Sequence, residues 1–309
     1  MRAAYVSAFN DADPLAALTV GERPEPVPPA DDWVTVEVRA SSLNHHDLWS
    51  LRGVGLAEDR LPMILGCDAA GIAPDGSEVV VHAMIENALL SEYYPGTFAD
   101  RVMVPASNLV PKPKQLSFLD AACLPTAWLT AYRMLTTKGR LPEGGSVLVQ
   151  GAGGGVATAA VCLGLALGAR VYATSRDPEK RKRVAGLGAT ALEPGARLPE
   201  RVDVVIETVG LATLDHSLKC AAPGGRIVVS GATSGYLPEV NLRRVFAYEL
   251  EILGCRMGTL DELRALIDLC VSRGIHPTVD SVFGFDEIGQ AFAKLHDGDI
   301  FGKVVIDHS

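Results

Sequence analysis

Five small residues, Gly151-Ala152-Gly153-Gly154-Gly155, follow the apolar run Val147-Leu148-Val149. A segment of helical character, 156–167, comes next; Gly168 breaks it, and a second β-rich run begins at 170–174. Strand, tight glycine turn, helix and strand make a βαβ unit of about 30 residues. Such a turn aims backbone N–H groups and a helix N-terminus at one spot, where a pyrophosphate can sit, and glycine keeps a Cβ out of the way. Read as G-x-G-x-x-G, the pattern fails at Val156; read as G-x-x-G-x-x-A, it gives Gly151, Gly154 and Ala157. Gly151, Gly153, Gly154, Gly155 and Val156 are the expected pyrophosphate contacts. The competing reading is a tight turn that binds nothing.

The end of the second strand selects the dinucleotide. Sites for NAD place Asp or Glu there, about 20 residues past the glycines, to accept hydrogen bonds from the ribose. This chain has Thr174-Ser175-Arg176, and Lys180 and Arg181 follow. A hydroxyl beside cations suits a 2′-phosphate, which a carboxylate would repel. Asp177 stands close by, and it suits equally the N-cap of a helix opening at Pro178. Ser175, Arg176 and Lys180 are therefore the expected 2′-phosphate contacts, and NADPH the expected cofactor. The alternative is that Arg176 and Lys180 are solvated surface charges.

The elements that position these residues show as changes of texture along the 309 residues. Segments 33–40, 78–83 and 98–105 read as strands, punctuated by Gly and Pro at intervals suited to a small barrel. Helical spacing appears over 120–135. Past the βαβ unit, strands at 202–208, 225–230 and 251–255 alternate with helices. Then 260–273 reads as an amphipathic helix, 281–285 as a short strand, 285–297 as a helix and 303–306 as a closing strand too short to stand without a sheet. A dinucleotide domain over 119–257 thus interrupts a β-rich domain made of 1–118 and 258–309.

Bulk properties narrow the function. A chain 48% hydrophobic and 21% charged is that of a folded protein with real cores. Its net charge of −9 argues against nucleic acid and against an anionic membrane surface. No window nears 18 uninterrupted apolar residues, and the start MRAAYVSAF lacks the plan of a signal peptide, so a cytoplasmic protein is expected. The six cysteines (67, 123, 162, 220, 255 and 270) form no C-x-x-C pair and read as buried thiols of a reduced compartment.

Several segments carry a resemblance over nearly the whole length: SSLNHHDLWSLRG (41–53), LPMILGCDAAG (61–71), GTFADRVMVPASNLVPKP (96–113), AACLPTAWLTAYRML (121–135), VLVQGAGGGV (147–156), DVVIETVG (203–210), GGRIVVSGATSG (224–235) and FGKVVI (301–306). The chain resembles the medium-chain dehydrogenase/reductase superfamily, within it the zinc-free quinone oxidoreductase-like branch. The resemblance implies an α/β protein: a GroES-like β-barrel catalytic domain plus a Rossmann domain with a doubly wound parallel sheet, an active site in the cleft between them, and a homodimer joined through Rossmann edge strands. Zinc-type members hold a catalytic zinc with Cys, His and Cys, plus a nearby Glu. The matching positions here are Asn44, Cys67-Asp68 and a place near Thr126, and Asn and Thr are poor zinc ligands. The four-cysteine structural lobe is absent as well. No metal is expected. The rival is an unusual metal site gathered from His45, His46, Asp47, Cys67 and Asp68, which is disfavoured because adjacent histidines point apart.

Without a Lewis acid, the chemistry that fits is hydride transfer to an acceptor already activated, a quinone or an α,β-unsaturated carbonyl, with donors placed for the oxygen that gains charge. The resemblance implies site residues. Asn44 would bond the nicotinamide ribose or the acceptor oxygen, and His45 or His46 would supply a donor or proton. Trp49 and Tyr94 would wall a flat acceptor. Thr126 and Thr130 would touch the nicotinamide end, with Val209, Gly210, Ser230, Gly231 and Ala232 close to it and Lys303 on the cofactor. The leading expectation is an NADPH-dependent quinone or enone reductase with a small-molecule substrate. Alternatives are an enoyl-thioester reductase, using Arg52, Arg60 and Arg101 at the mouth, a zinc-type alcohol dehydrogenase with altered ligands, and a noncatalytic nucleotide-binding protein.

Overall fold

The computed structural model describes residues 1–309, which divide into two units, 1–126 with 259–309 and 127–258.

In the first unit the ten-residue strand Trp33–Ser42 gathers the sheet around it. Its first half pairs with Arg101–Pro105 and its second half with Asp68–Ile72, with a register shift between Val38 and Ala40. The sheet runs Leu109–Pro111, Glu78–Val81, Asp68–Ile72, Trp33–Ser42, Lys303–Asp307, Val279–Gly284. The closing strand is wedged between two partners, antiparallel to residues 40–42 and parallel to Val279–Gly284. Four successive residues from Lys303 to Ile306 are buried, which is why so short a strand holds. Beside the sheet, Ile288–Asp297 turns Ile288, Ala291, Phe292 and Leu295 inward at helical spacing, and Phe292 meets Phe98 edge to face at 5.7 Å. Leu260–Arg273 opens on a reciprocal cap between Thr259 and Glu262 and stops at left-handed Gly274.

The second unit is a six-stranded, all-parallel sheet in the order Thr190–Leu192, Arg170–Thr174, Ser146–Val149, Val202–Glu207, Ala221–Val229, Glu251–Gly254. Strand order reverses beside Ser146–Val149, so the glycine turn leaves the sheet at its switch point, where such sheets hold ligands. Gly155–Ala166 follows the turn, and Pro178–Leu187 follows the next strand.

Two stretches depart from the sequence expectation. The helix expected over 120–135 is broken into short pieces with wide turns at Leu124–Trp128 and Met134–Lys138. Pro125 carries no N–H and crowds the preceding turn, and farther on the Gly139 N–H reaches back five residues to Met134 O (2.8 Å). The strand expected from 98 starts only at Arg101, because Phe98 is already extended against Ala4 and Leu65.

Candidate active site

In the first unit, the chain runs from the end of Trp33–Ser42 through Leu43 into Asn44, which caps the helix His45–Leu51. The Asn44 backbone N–H donates to Asp47 Oδ2 at 2.7 Å. The Lys303 ammonium, 2% exposed, donates to Leu43 O (2.7 Å), Asn44 Oδ1 (2.7 Å) and Asp68 Oδ2 (3.2 Å). Asn44 Nδ2 donates to the same Asp68 oxygen at 2.9 Å, as does Ser42 Oγ at 2.8 Å. A cation at one end of the carboxamide and a carboxylate at the other fix which way it points. All three Lys303 hydrogens are engaged on protein oxygens, so this lysine orients Asn44 where the sequence suggested a cofactor contact.

The two histidines part, as expected of neighbours on a helix. His45 keeps an exposed edge, while the dense protein beneath it and the Lys303 charge lower its pKa. His46 turns inward: its Nε2 lies 2.9 Å from Glu92 Oε1 and its Nδ1 3.7 Å from Cys67 Sγ. Burial lowers the His46 pKa, but Cys67, Glu92 and Asp47 outweigh it and hold the imidazole well above its ordinary value. Asp47 is fully buried, and burial lifts its carboxyl to about 6 against the attraction of His46. Burial also pushes the Cys67 thiol up, against the same imidazole. Ser91 Oγ stands 3.4 Å from Cys67 Sγ, and Ser91 holds a left-handed backbone (φ 65°) that a side chain adopts only under constraint.

In the second unit, Gly151 has φ +73°, and a Cβ there would come 2.5 Å from Val209 Cγ2. Gly154 is different: its backbone is extended, and an added Cβ would meet no protein atom. The glycine is thus unneeded by the protein's own packing, as expected where backbone must face a ligand. Three strand ends are tied together around the turn. Thr174 Oγ1 donates to Gln150 Oε1 (2.6 Å), and Gln150 Nε2 to Ser217 Oγ (3.0 Å). Fully buried Glu207 accepts from the Val209 N–H (2.9 Å), Gly210 N–H (3.0 Å), Thr213 Oγ1 (2.8 Å) and Ser217 Oγ (2.6 Å). Ser230 Oγ is buried with no partner. The turn, its open side and this orphaned hydroxyl fit a dinucleotide. At the end of Arg170–Thr174, Ser175 is buried and Arg176 exposed. Asp177 is spent as a cap, accepting from the Glu179 N–H (2.8 Å) and Lys180 N–H (3.4 Å). Arg181 braces the loop through Ser175 O (2.8 Å) and Arg176 O (3.0 Å).

The remaining expected residues are less gathered. Trp49 and Thr126 are half-buried, Thr130 is buried, and Val209, Gly231 and Ala232 are half-buried on the loops after their strands. Tyr94 packs on Trp33 (4.8 Å between centroids), so it is a packing residue where an acceptor wall was expected. Arg60 lies over Tyr93 and Arg101 pairs with Glu25 (2.7 Å), so neither is uncommitted. Sequence reasoning missed Glu92, Ser91, Gln150 and Glu207. Glu207 was detectable: a carboxylate ending the apolar run VDVVIE must be satisfied by local donors.

The architecture and the glycine-turn site define a two-domain dehydrogenase or reductase. An alcohol dehydrogenase GroES-like domain family matches residues 30–114, and a zinc-binding dehydrogenase family matches residues 182–306. A zinc-type alcohol dehydrogenase-like protein of Schizosaccharomyces pombe is 30% identical over 92% of this chain and 93% of its own length. The acryloyl-coenzyme A reductase of Metallosphaera sedula is 29% identical over 90% and 93%. A solved NAD-dependent alcohol dehydrogenase superposes with a TM-score of 0.89 at 31% identity, over 100% of both chains. The chain belongs to the medium-chain dehydrogenase/reductase superfamily.

The zinc implied by that family name does not fit its usual positions here. Asn44 is locked between an ammonium and a carboxylate, and Asp68 already serves as the partner of the Lys303 ammonium, so neither is available as a ligand.

Proposed function

We propose that this chain is an NADPH-dependent reductase of electron-poor carbon–carbon double bonds, acting on α,β-unsaturated carbonyl compounds and foremost on enoyl thioesters. The Asn44–Lys303–Asp68 group carries this reading. Where zinc-type relatives begin their ligand set, this chain presents an oriented carboxamide. Its remaining Nδ2 hydrogen is a donor for an acceptor oxygen, adequate where conjugation already spreads the incoming charge and weak for an isolated ketone. NADPH, when bound, supplies the hydride.

The residues divide the remaining work. The backbone N–H groups of Gly154, Gly155 and Val156 hold the pyrophosphate beside Gly151 and Gly153. Ser175, Arg176 and Lys180 take the 2′-phosphate, a role favoured by the commitment of Asp177 to its helix cap. Thr130, Val209, Gly210, Ser230, Gly231 and Ala232 line the nicotinamide end, with Glu207 holding the Val209 and Gly210 amides in place. His45, whose pKa is lowered, stays neutral and donates a hydrogen bond through its ring N–H, the proton that completes the reduction coming from water; His46, Trp49 and Thr126 shape the acceptor side.

The acryloyl-coenzyme A reductase relative supports the thioester form of the acceptor; a quinone uses the same residues. The second reading, alcohol oxidation with NAD, is favoured by the alcohol dehydrogenase relatives. A second copy of this chain would join at the edge strand Glu251–Gly254, where Ile252 is exposed.

The test is NADPH oxidation, followed in the near ultraviolet, against crotonyl-CoA, a 2-alkenal, 1,4-benzoquinone and 9,10-phenanthrenequinone. Turnover of crotonyl-CoA and the alkenal, with NADPH well above NADH, is the expected result. Quinone turnover alone would replace the acceptor class. Oxidation of simple alcohols, with no acceptor reduced, would reject the proposal.

A further inference from the structure

We infer that His46, Asp47 and Cys67 form a binding site for a divalent transition metal of the zinc type, lying wholly in the first unit. Their donor atoms all fall within 4.8 Å of one another. His46 Nδ1 and Cys67 Sγ are 3.7 Å apart. Two ligands on one tetrahedral zinc, with Zn–S about 2.3 Å and Zn–N about 2.0–2.1 Å, stand about 3.6 Å apart. The pair is therefore already spaced for a shared ion, and Asp47 has only to close in.

Two further observations point to a cation. Asp47 gives one oxygen to the Asn44 N–H, and its other oxygen, Oδ1, is buried without a partner. A buried carboxylate oxygen left in this state costs free energy that a metal bond removes. Glu92 meanwhile accepts from His46 Nε2, so Nδ1, which lies toward Cys67, is the nitrogen that can give up its proton to a metal. A carboxylate on the far nitrogen is the usual support of a metal-binding histidine, fixing its tautomer and its ring. Ser91 Oγ gives the sulfur a hydrogen-bond neighbour of its own.

The donor set also names the class of metal. One sulfur, one imidazole nitrogen and one carboxylate oxygen suit zinc or cobalt and reject magnesium and calcium. A dication balances a thiolate and a carboxylate, so two buried anions carry no net charge. Three protein ligands leave one position for water. The site shares with the family's set only the position of Cys67; it draws its other two ligands, His46 and Asp47, from the helix His45–Leu51, and leaves out Asn44 and Thr126. It replaces the sequence expectation of no metal; it shares His46 with the reductase reading, but its test uses neither cofactor nor acceptor, so the two stand or fall separately.

The experiment is titration of the metal-stripped full chain with cobalt(II), followed by absorption spectroscopy. One cobalt per chain should bind, with a thiolate-to-cobalt charge-transfer band and the visible bands of a tetrahedral ion, all displaced by zinc. Cys67→Ser should lose the charge-transfer band, His46→Gln and Asp47→Asn should lose tight binding, and Glu92→Gln should weaken it about 10–100-fold. Circular dichroism establishes that each variant is folded; should Cys67→Ser not fold, His46→Gln decides on the same loss. Absence of the charge-transfer band in the parent chain, or its persistence in a folded Cys67→Ser or His46→Gln variant, would overturn the proposal.

Discussion

At Gly154 an added Cβ meets no protein atom, whereas at Gly151 it would stand 2.5 Å from Val209 in a left-handed backbone. The two glycines therefore predict opposite phenotypes. Gly154→Ala should cost the fold no more than about 1 kcal/mol, the difference between Gly and Ala at a helix N-cap. It should raise the Kd for NADPH at least tenfold, because the new methyl fills the space left for phosphate. Gly151→Ala should destabilise by about 2 kcal/mol or more through strain and collision. Thermal melting with NADPH fluorescence titration separates them; unchanged NADPH binding in Gly154→Ala would remove the turn from the cofactor site. Lys303 makes a second residue-scale case. It is 2% exposed and pairs with fully buried Asp68, so Lys303→Met should cost about 3–5 kcal/mol by leaving that carboxylate without its cation. Adding Asp68→Asn should restore a large part of the loss in urea unfolding, and a double variant no more stable than the single one would show that charge pairing is not the cause.

The strand Lys303–Asp307 runs into His308, whose N–H bonds Arg39 O (3.0 Å) and whose Nε2 lies 2.8 Å from Ser41 Oγ. Burial lowers this histidine from 6.5 to about 4. A base with a lowered folded pKa adds stability above its unfolded pKa, and that stability is lost as pH falls from 6.5 toward 4. The shift is worth on the order of 3 kcal/mol, enough to loosen the strand end without unfolding the sheet. Hydrogen exchange at residues 303–309 should speed up across that window, and His308→Gln should flatten the dependence; equal protection at pH 7 and pH 4 would refute the assignment. Elements with their own end signals were legible in sequence. The helix expected over 260–273 is Leu260–Arg273, because Thr259, Glu262 and Gly274 mark its ends. The stretch 120–135 was not, because apolar spacing cannot show where Pro125 and the wide turns spread the helix apart.

For the whole molecule, the interruption of a β-rich unit by a parallel-sheet unit could be read from changes in periodicity, and the glycine turn could be placed at a strand end. The meeting of Lys303 with Asp68 could not, since 235 residues separate them and only the finished sheet sets their register. Glu92 on His46 was hidden for the same reason, at a separation of 46. At this scale the exposed edge of the parallel sheet predicts the oligomer. Ile252 is 42% exposed on the edge strand and Phe246 72% exposed on the helix Leu242–Ala247 that precedes it in the chain, so Ile252→Lys with Phe246→Glu should halve the mass seen by sedimentation. A parent chain sedimenting with the mass of one chain at every concentration would exclude the dimer. The split of the first unit also orders events on the ribosome. The parallel sheet is complete once residue 258 has been made, but Asp68 must wait for Lys303 to emerge before it can be buried as a pair. Nascent chains arrested before that lysine should therefore carry a finished nucleotide-binding half beside a protease-sensitive partner, and chaperones would find their substrate in the segment made first.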